Sequence, residues 1–132
     1  MSGTDKQGIR TPLARVRGLG AAHSGTTDFW HQRLTAIGMT VLIIPVLVII
    51  MKVLGLNRSG VKVVIGSWLP ATIMLLFIIA CAWHMKLGMQ VVIEDYVHDH
   101  RLKFVAVILN NFFAIAVAAV SAFAVLMLAF GV

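Results

Sequence analysis

Four side chains in this sequence have the chemistry to bind or move charge, and they stand at places where a polar group is costly. They are Arg33, His84, Asp95 and Tyr96. His84 lies roughly 15 residues into an apolar run that begins near Leu69, far from water on either side if the run is a membrane-spanning helix. Asp95 and Tyr96 close the same run. At about 1.5 Å of rise per residue they stand roughly 16–18 Å from His84 along the helix axis. One helix therefore carries two separate sites, one deep and one at its end.

An ionisable group at the depth of His84 must face protein or a cofactor. Two readings are open: a neutral imidazole hydrogen-bonded across helices, or a metal ligand, a common role for that ring. Gly88 follows at i+4 on the same face, where a missing side chain leaves room for something flat and bulky. Plain helix packing uses small residues too. A haem iron often takes a second axial ligand. The other histidines, His23, His31, His98 and His100, are all expected at or outside the membrane edge. A bis-histidine site at the depth of His84 would then need a histidine from a partner chain.

Tyr96 and Asp95 admit a bland reading, an interfacial aromatic beside a polar helix end. They also suit a phenol that donates a hydrogen bond to a lipophilic substrate, with a carboxylate beside it to orient or relay a proton. A quinone fits, because its head is polar and its tail stays in lipid. Arg33 stands where a span begins, either as a snorkelling anchor or as a fork for an anionic group such as a haem propionate. Lys86 is two residues from His84, so on a helix it points roughly the opposite way, to snorkel or to pair with a partner's acid. Asp99, His98 and His100 read as a solvated loop.

The elements that position these residues follow from composition. Of 132 residues, 60% are hydrophobic and 12% charged. A water-soluble domain of this size has too much surface for so few charges. The apolar residues fall into three blocks, which predicts an all-α membrane protein with spans at about 34–54, 69–93 and 104–130. Residues 1–33 form a polar, basic N-terminal segment, and 34–132 a three-helix transmembrane unit. Pro12 and several glycines argue against one continuous helix before the first span. Thr27 or Asp28 suits an N-cap. Pro45 should kink the first span, and Gly55 to Gly60 reads as a turn-rich break.

The net charge of +6 does not point to nucleic acid, because the basic residues sit in the tail and at the block ends. Seven Lys and Arg fall in the tail and second connection, against three in and around the first. That predicts a cytoplasmic N-terminus and a periplasmic C-terminus. The single cysteine, Cys81, allows no intrachain disulfide. There is no dinucleotide fingerprint and no cysteine set for an iron–sulfur cluster. Ala114, Ala118 and Ala122, at intervals of four, predict close helix packing in the third span. Three spans do not hold an even pair of inverted repeats, which counts against one class of transporter.

The stretch His84-xxx-Gly88-Met89-Gln90-Val91-xx-Glu94-Asp95-Tyr96-Val97 resembles the second membrane helix of the smaller hydrophobic anchor, the "D" anchor, of succinate dehydrogenase (respiratory complex II). Ser24-Gly25-Thr26-xx-Phe29-Trp30-x-Gln32-Arg33-Leu34-Thr35-Ala36 resembles the segment leading into that family's first helix, in its alphaproteobacterial form. The resemblance covers about residues 18–100; the third helix shares only its apolar character. It implies His84 as an axial ligand of haem b, with the second histidine on the larger cytochrome b anchor. It further implies Tyr96 as a hydrogen-bond donor to a ubiquinone carbonyl with Asp95 beside it, and Arg33 near the haem propionates. Lys86 departs from the enterobacterial form, which is apolar there. The expectation is a subunit with no catalysis of its own, in a bacterial inner membrane, anchoring flavoprotein and iron–sulfur partners that oxidise succinate in the tricarboxylic acid cycle and pass electrons to quinone. Two alternatives are a purely structural anchor without haem or quinone contact, and a small transport or channel protein with His84 and Lys86 in its pathway.

Overall fold

The computed structural model describes residues 11–17 and 25–130, so His23 lies outside the described residues. Every element is helical: α1 (Pro12–Val16), α2 (Gly25–Val53), α3 (Arg58–Ile65), α4 (Trp68–Tyr96) and α5 (His100–Ala129). Three of them, α2, α4 and α5, are long and apolar enough to cross a membrane. At about 1.5 Å per residue, the 29 residues of α4 reach roughly 43 Å. A bilayer core is only about 30 Å thick, so the helix ends project into the headgroup layer.

The long helices run antiparallel, with α4 in the middle. α2 packs on one flank of α4 and α5 on the other, and the described parts of α2 and α5 do not touch. Most of the apolar surface is exposed on the single chain, including Leu34, Ile37, Phe112, Phe113 and Phe123. In water that would be ruinous; in lipid it costs nothing, and close packing replaces the hydrophobic effect as the glue between helices. The small residues of α5 fulfil this on the α4 side: Ala114 is buried, and Ala118 and Ala122 are partly covered. At the end away from Tyr96, Ile65, Ala71 and Val125 form a cluster joining α3, α4 and α5.

The helix ends differ from the sequence expectations. α2 starts at Gly25, so Thr27 and Asp28 lie inside its first turn rather than at its cap, where Asp28 opposes the positive end of the helix dipole. α2 runs on through Pro45. The first connection is not all turn. Asn57 caps α3 by accepting a hydrogen bond from the Gly60 amide at 2.9 Å. Val61, Val64 and Ile65 then turn inward on one face of α3. The second connection shrinks to Val97–Asp99, because the Asp99 carboxylate accepts from the amides of Arg101 and Leu102 and starts α5 early. The Lys103 ammonium donates to the Glu94 carbonyl at 2.8 Å and ties the end of α4 to the start of α5.

Gly55 ends α2 with φ at +79°, the left-handed region, and a Cβ there would meet nothing. Gly55→Ala therefore carries a backbone penalty alone, about 1–2 kcal/mol. Gly38, mid-helix and equally open, supplies the control. Thermal unfolding of the purified protein in detergent should show a lower midpoint for Gly55→Ala and an unchanged or higher one for Gly38→Ala.

Candidate functional site

Antiparallel packing of α2 on α4 sets residues 28–36 opposite residues 84–94. On α4, His84, Leu87, Val91 and Glu94 recur at helical spacing and share one face. On α2, Phe29, Gln32, Arg33 and Ala36 do the same. Between the two faces lies a cleft of about 500 Å³, lined by these residues together with Asp28 and Gln90. His84 is its imidazole and Arg33 its guanidinium. Phe29, Ala36, Leu87 and Val91 supply apolar walls, and the acids Asp28 and Glu94 stand toward the helix ends.

The His84 ring is held from α2 at both nitrogens. Thr35 Oγ1 lies 3.1 Å from Nδ1, and Gln32 Nε2 lies 3.4 Å from Nε2. Gly88 faces that glutamine; a Cβ there would lie 3.5 Å from Gln32 Nε2, an ordinary contact. The amide oxygen of Gln32, in contrast, is buried with no hydrogen-bond partner. An orphaned acceptor of this kind is costly unless something else in the site satisfies it. Arg33 lays its guanidinium over the Phe29 ring at 4.3 Å, which fixes its stem and leaves its donors exposed.

His84 and Arg33 thus share one cleft. Tyr96 and Asp95 do not line it; they form the last residues of α4, exposed, with Tyr96 77% accessible. His84 and Tyr96 are far apart along α4, although the cleft itself runs as far as Glu94, the neighbour of Asp95. Lys86 does not line the cleft; its ammonium lies 5.8 Å from the ring centre of Trp83. His98 and His100 are exposed, and among the described residues no three His, Cys, Asp or Glu side chains gather around a metal-sized space.

One expectation needs correcting. With a first span beginning near residue 34, His31 is expected at or outside the membrane edge, away from the other helices. With α2 starting at Gly25, His31 comes down beside α4, its ring edge-on to Trp83 with centroids 5.9 Å apart. It is nevertheless exposed and does not line the cleft, so among the described residues His84 is the one imidazole there.

Sequence reasoning assigned no role to Gln32, Thr35 or Asn110. Gln32 and Thr35 carry a signal in retrospect, polar residues three apart on the face of α2 that meets His84. Asn110 is a polar residue in an apolar span. It is buried against α4, and its amide donates to the Lys86 carbonyl at 2.9 Å.

Comparison with known proteins finds relatives over most of the chain. A family model described as succinate dehydrogenase/fumarate reductase transmembrane subunit matches residues 7–130. A succinate dehydrogenase hydrophobic membrane anchor subunit of Paracoccus denitrificans is 31% identical over 121 residues, covering 92% of this chain and 93% of that protein. The subunit of the same description from Rickettsia bellii is 31% identical over 110 residues, covering 81% and 86%. A succinate dehydrogenase membrane anchor subunit of Reclinomonas americana is 29% identical over 97 residues, covering 71% and 81%. No solved structure matches the chain significantly.

Proposed function

The chain belongs to the succinate dehydrogenase/fumarate reductase transmembrane subunit family, and from that premise we propose that it binds haem b through His84 and ubiquinone through Tyr96 and Asp95. It is a membrane anchor subunit of succinate dehydrogenase, a multi-pass protein of the bacterial inner membrane. We assign its N-terminus to the cytoplasm and its C-terminus to the periplasm, on the distribution of Lys and Arg. Its partners are then a flavoprotein, an iron–sulfur subunit and a larger cytochrome b anchor, which also supplies the second haem ligand.

The observation that carries this reading is the pairing of His84 with Arg33 across one apolar cleft. A haem needs a neutral nitrogen ligand at its centre, apolar walls, and a cation toward its carboxylate edge; those groups are present here. When bound, the haem supplies a one-electron carrier within the membrane. The chain's part is to hold the His84 ring, to offset propionate charge with Arg33, and to keep water out with Phe29, Leu87 and Val91. At the end of α4, the Tyr96 hydroxyl donates to a quinone carbonyl oxygen and Asp95 faces the aqueous side from which protons come. Electrons reach the quinone from succinate oxidised in the partner subunits.

One observation favours the purely structural reading: both ring nitrogens of His84 already have polar neighbours in the chain. Against it stands the cleft beside the ring, which His84 shares with the Arg33 guanidinium between apolar walls. The anchor role is tested by affinity purification of the tagged chain from solubilised membranes. Flavin, iron–sulfur signals and succinate oxidation with a soluble acceptor should copurify; recovery of the chain by itself would sink the reading.

A further inference from the structure

We propose that Thr35 is a positioning residue that sets the tautomer of His84, holding the ring proton on Nδ1 and so leaving Nε2 unprotonated, able to take a haem iron. The inference rests on His84 being a haem ligand. It starts from hydrogen-bond bookkeeping at one hydroxyl. A threonine has a single O–H hydrogen and two lone pairs. Thr35 Oγ1 lies 2.8 Å from the His31 carbonyl and 3.1 Å from the Gln32 carbonyl, both in the preceding turn of α2. Its hydrogen is therefore directed to backbone oxygen. Toward His84 Nδ1, 3.1 Å away, the hydroxyl has only lone pairs left to offer, so Nδ1 must be the donor.

The other side of the ring agrees. Gln32 presents its amide nitrogen, a donor, to Nε2 at 3.4 Å. A protonated Nε2 would set donor against donor. An unprotonated Nε2 accepts, and a metal bound there would take the place of the Gln32 amide, whose contact is long at 3.4 Å. Thr35 and Gln32 are three residues apart on one face of α2, so a single helix grips both edges of a ring carried by another. A hydrogen bond from the distal N–H of a metal-bound histidine orients the ring and makes it a stronger ligand. In a helix packed in lipid, few backbone carbonyls are free to act as that acceptor, and Thr35 takes the place of one.

The test uses the assembled complex purified with its haem, carrying Thr35→Val, Thr35→Ala, Thr35→Ser or His84→Ala. Three readouts are taken: haem transfer to apomyoglobin, the haem midpoint potential, and the low-spin ferric signal in electron paramagnetic resonance. Thr35→Val should lose haem about tenfold faster or more, since such outer partners are typically worth about 10- to 100-fold in affinity. Its midpoint should shift upward, because a weaker ligand stabilises ferric iron less, and its ferric signal should move as the ring turns. Thr35→Ser keeps the oxygen and should match the parent on all three. Should valine crowd the contact and prevent assembly, Thr35→Ala removes the hydroxyl without added bulk and carries the same expectations. Unchanged haem in Thr35→Val or Thr35→Ala, with haem lost in His84→Ala, overturns the role of Thr35 and leaves the haem reading intact. A downward shift overturns it too, since the hydroxyl would then be donating to Nδ1. Haem bands unaltered in His84→Ala would instead refute the ligand reading, and this inference with it.

Discussion

His84→Ala is expected to abolish or strongly alter the b-type bands in the dithionite-reduced minus oxidised spectrum of the purified complex. The expectation follows from the cleft. Among the described residues His84 is its one imidazole, and none of the other described lining residues replaces a neutral nitrogen ligand for a low-spin haem. Losing an outer hydrogen-bond partner of a metal ligand costs about 10- to 100-fold in affinity, and losing the ligand itself should cost more. The helix pair should survive the change. Thr35 keeps its bonds to the carbonyls of His31 and Gln32, and Leu87 remains buried at the same contact. Three outcomes separate the readings. Bands lost or altered in the variant place the iron on His84. A parent complex with no haem bands leaves the anchor role standing and reduces His84 to packing. Parent bands that survive the substitution put the iron on other residues.

Much of this was legible in the sequence because lipid makes polarity informative. Three apolar blocks gave three long helices, and a histidine deep in one of them had to face something. The helix ends were harder to see. Hydropathy marks where the hydrocarbon begins, whereas a helix ends where its backbone finds a cap. α2 extends nine residues outward from the expected start of its span, α3 forms on an asparagine cap, and α5 starts at an aspartate cap. The early start of α2 matters for function. It brings His31 alongside α4 and puts Arg33 in the cleft rather than at a bare interface.

The neighbours of His84 were harder still, because they depend on the register of α2 against α4. Thr35 and Gln32 read as ordinary polar residues near a helix start until antiparallel packing sets them against the ring. A shift of one residue along α2 would turn each of them by about 100° from its partner. The Ala114 and Ala118 spacing did predict a packing face, yet it gave no hint of Asn110, whose hydrogen bond to the Lys86 carbonyl joins α5 to the helix that carries both sites.

Tyr96→Phe is expected to lower succinate:quinone reductase activity by on the order of 100-fold, the scale for removing one donor from a developing oxyanion. As a quinone carbonyl takes up electrons, negative charge grows on its oxygen, and a donor aimed there is worth more in the transition state than in the bound quinone. The loss should therefore appear in kcat more than in KM. Tyr96 is well placed for such a partner: it is the last residue of α4 and exposed, and the end of a spanning helix is where a polar head can meet water while its tail stays in lipid. Succinate oxidation with a soluble acceptor should be unchanged, because that chemistry lies in partner subunits. The haem spectrum should also be unchanged, since Tyr96 stands roughly 18 Å along α4 from His84 and does not line the cleft. Asp95→Asn should reduce quinone turnover less, because its neighbour's donor remains. A Tyr96→Phe complex with normal quinone reductase activity would remove this tyrosine from the site. A variant that lost haem and quinone activity together would mean that the two ends of α4 are coupled, contrary to their separation in the fold.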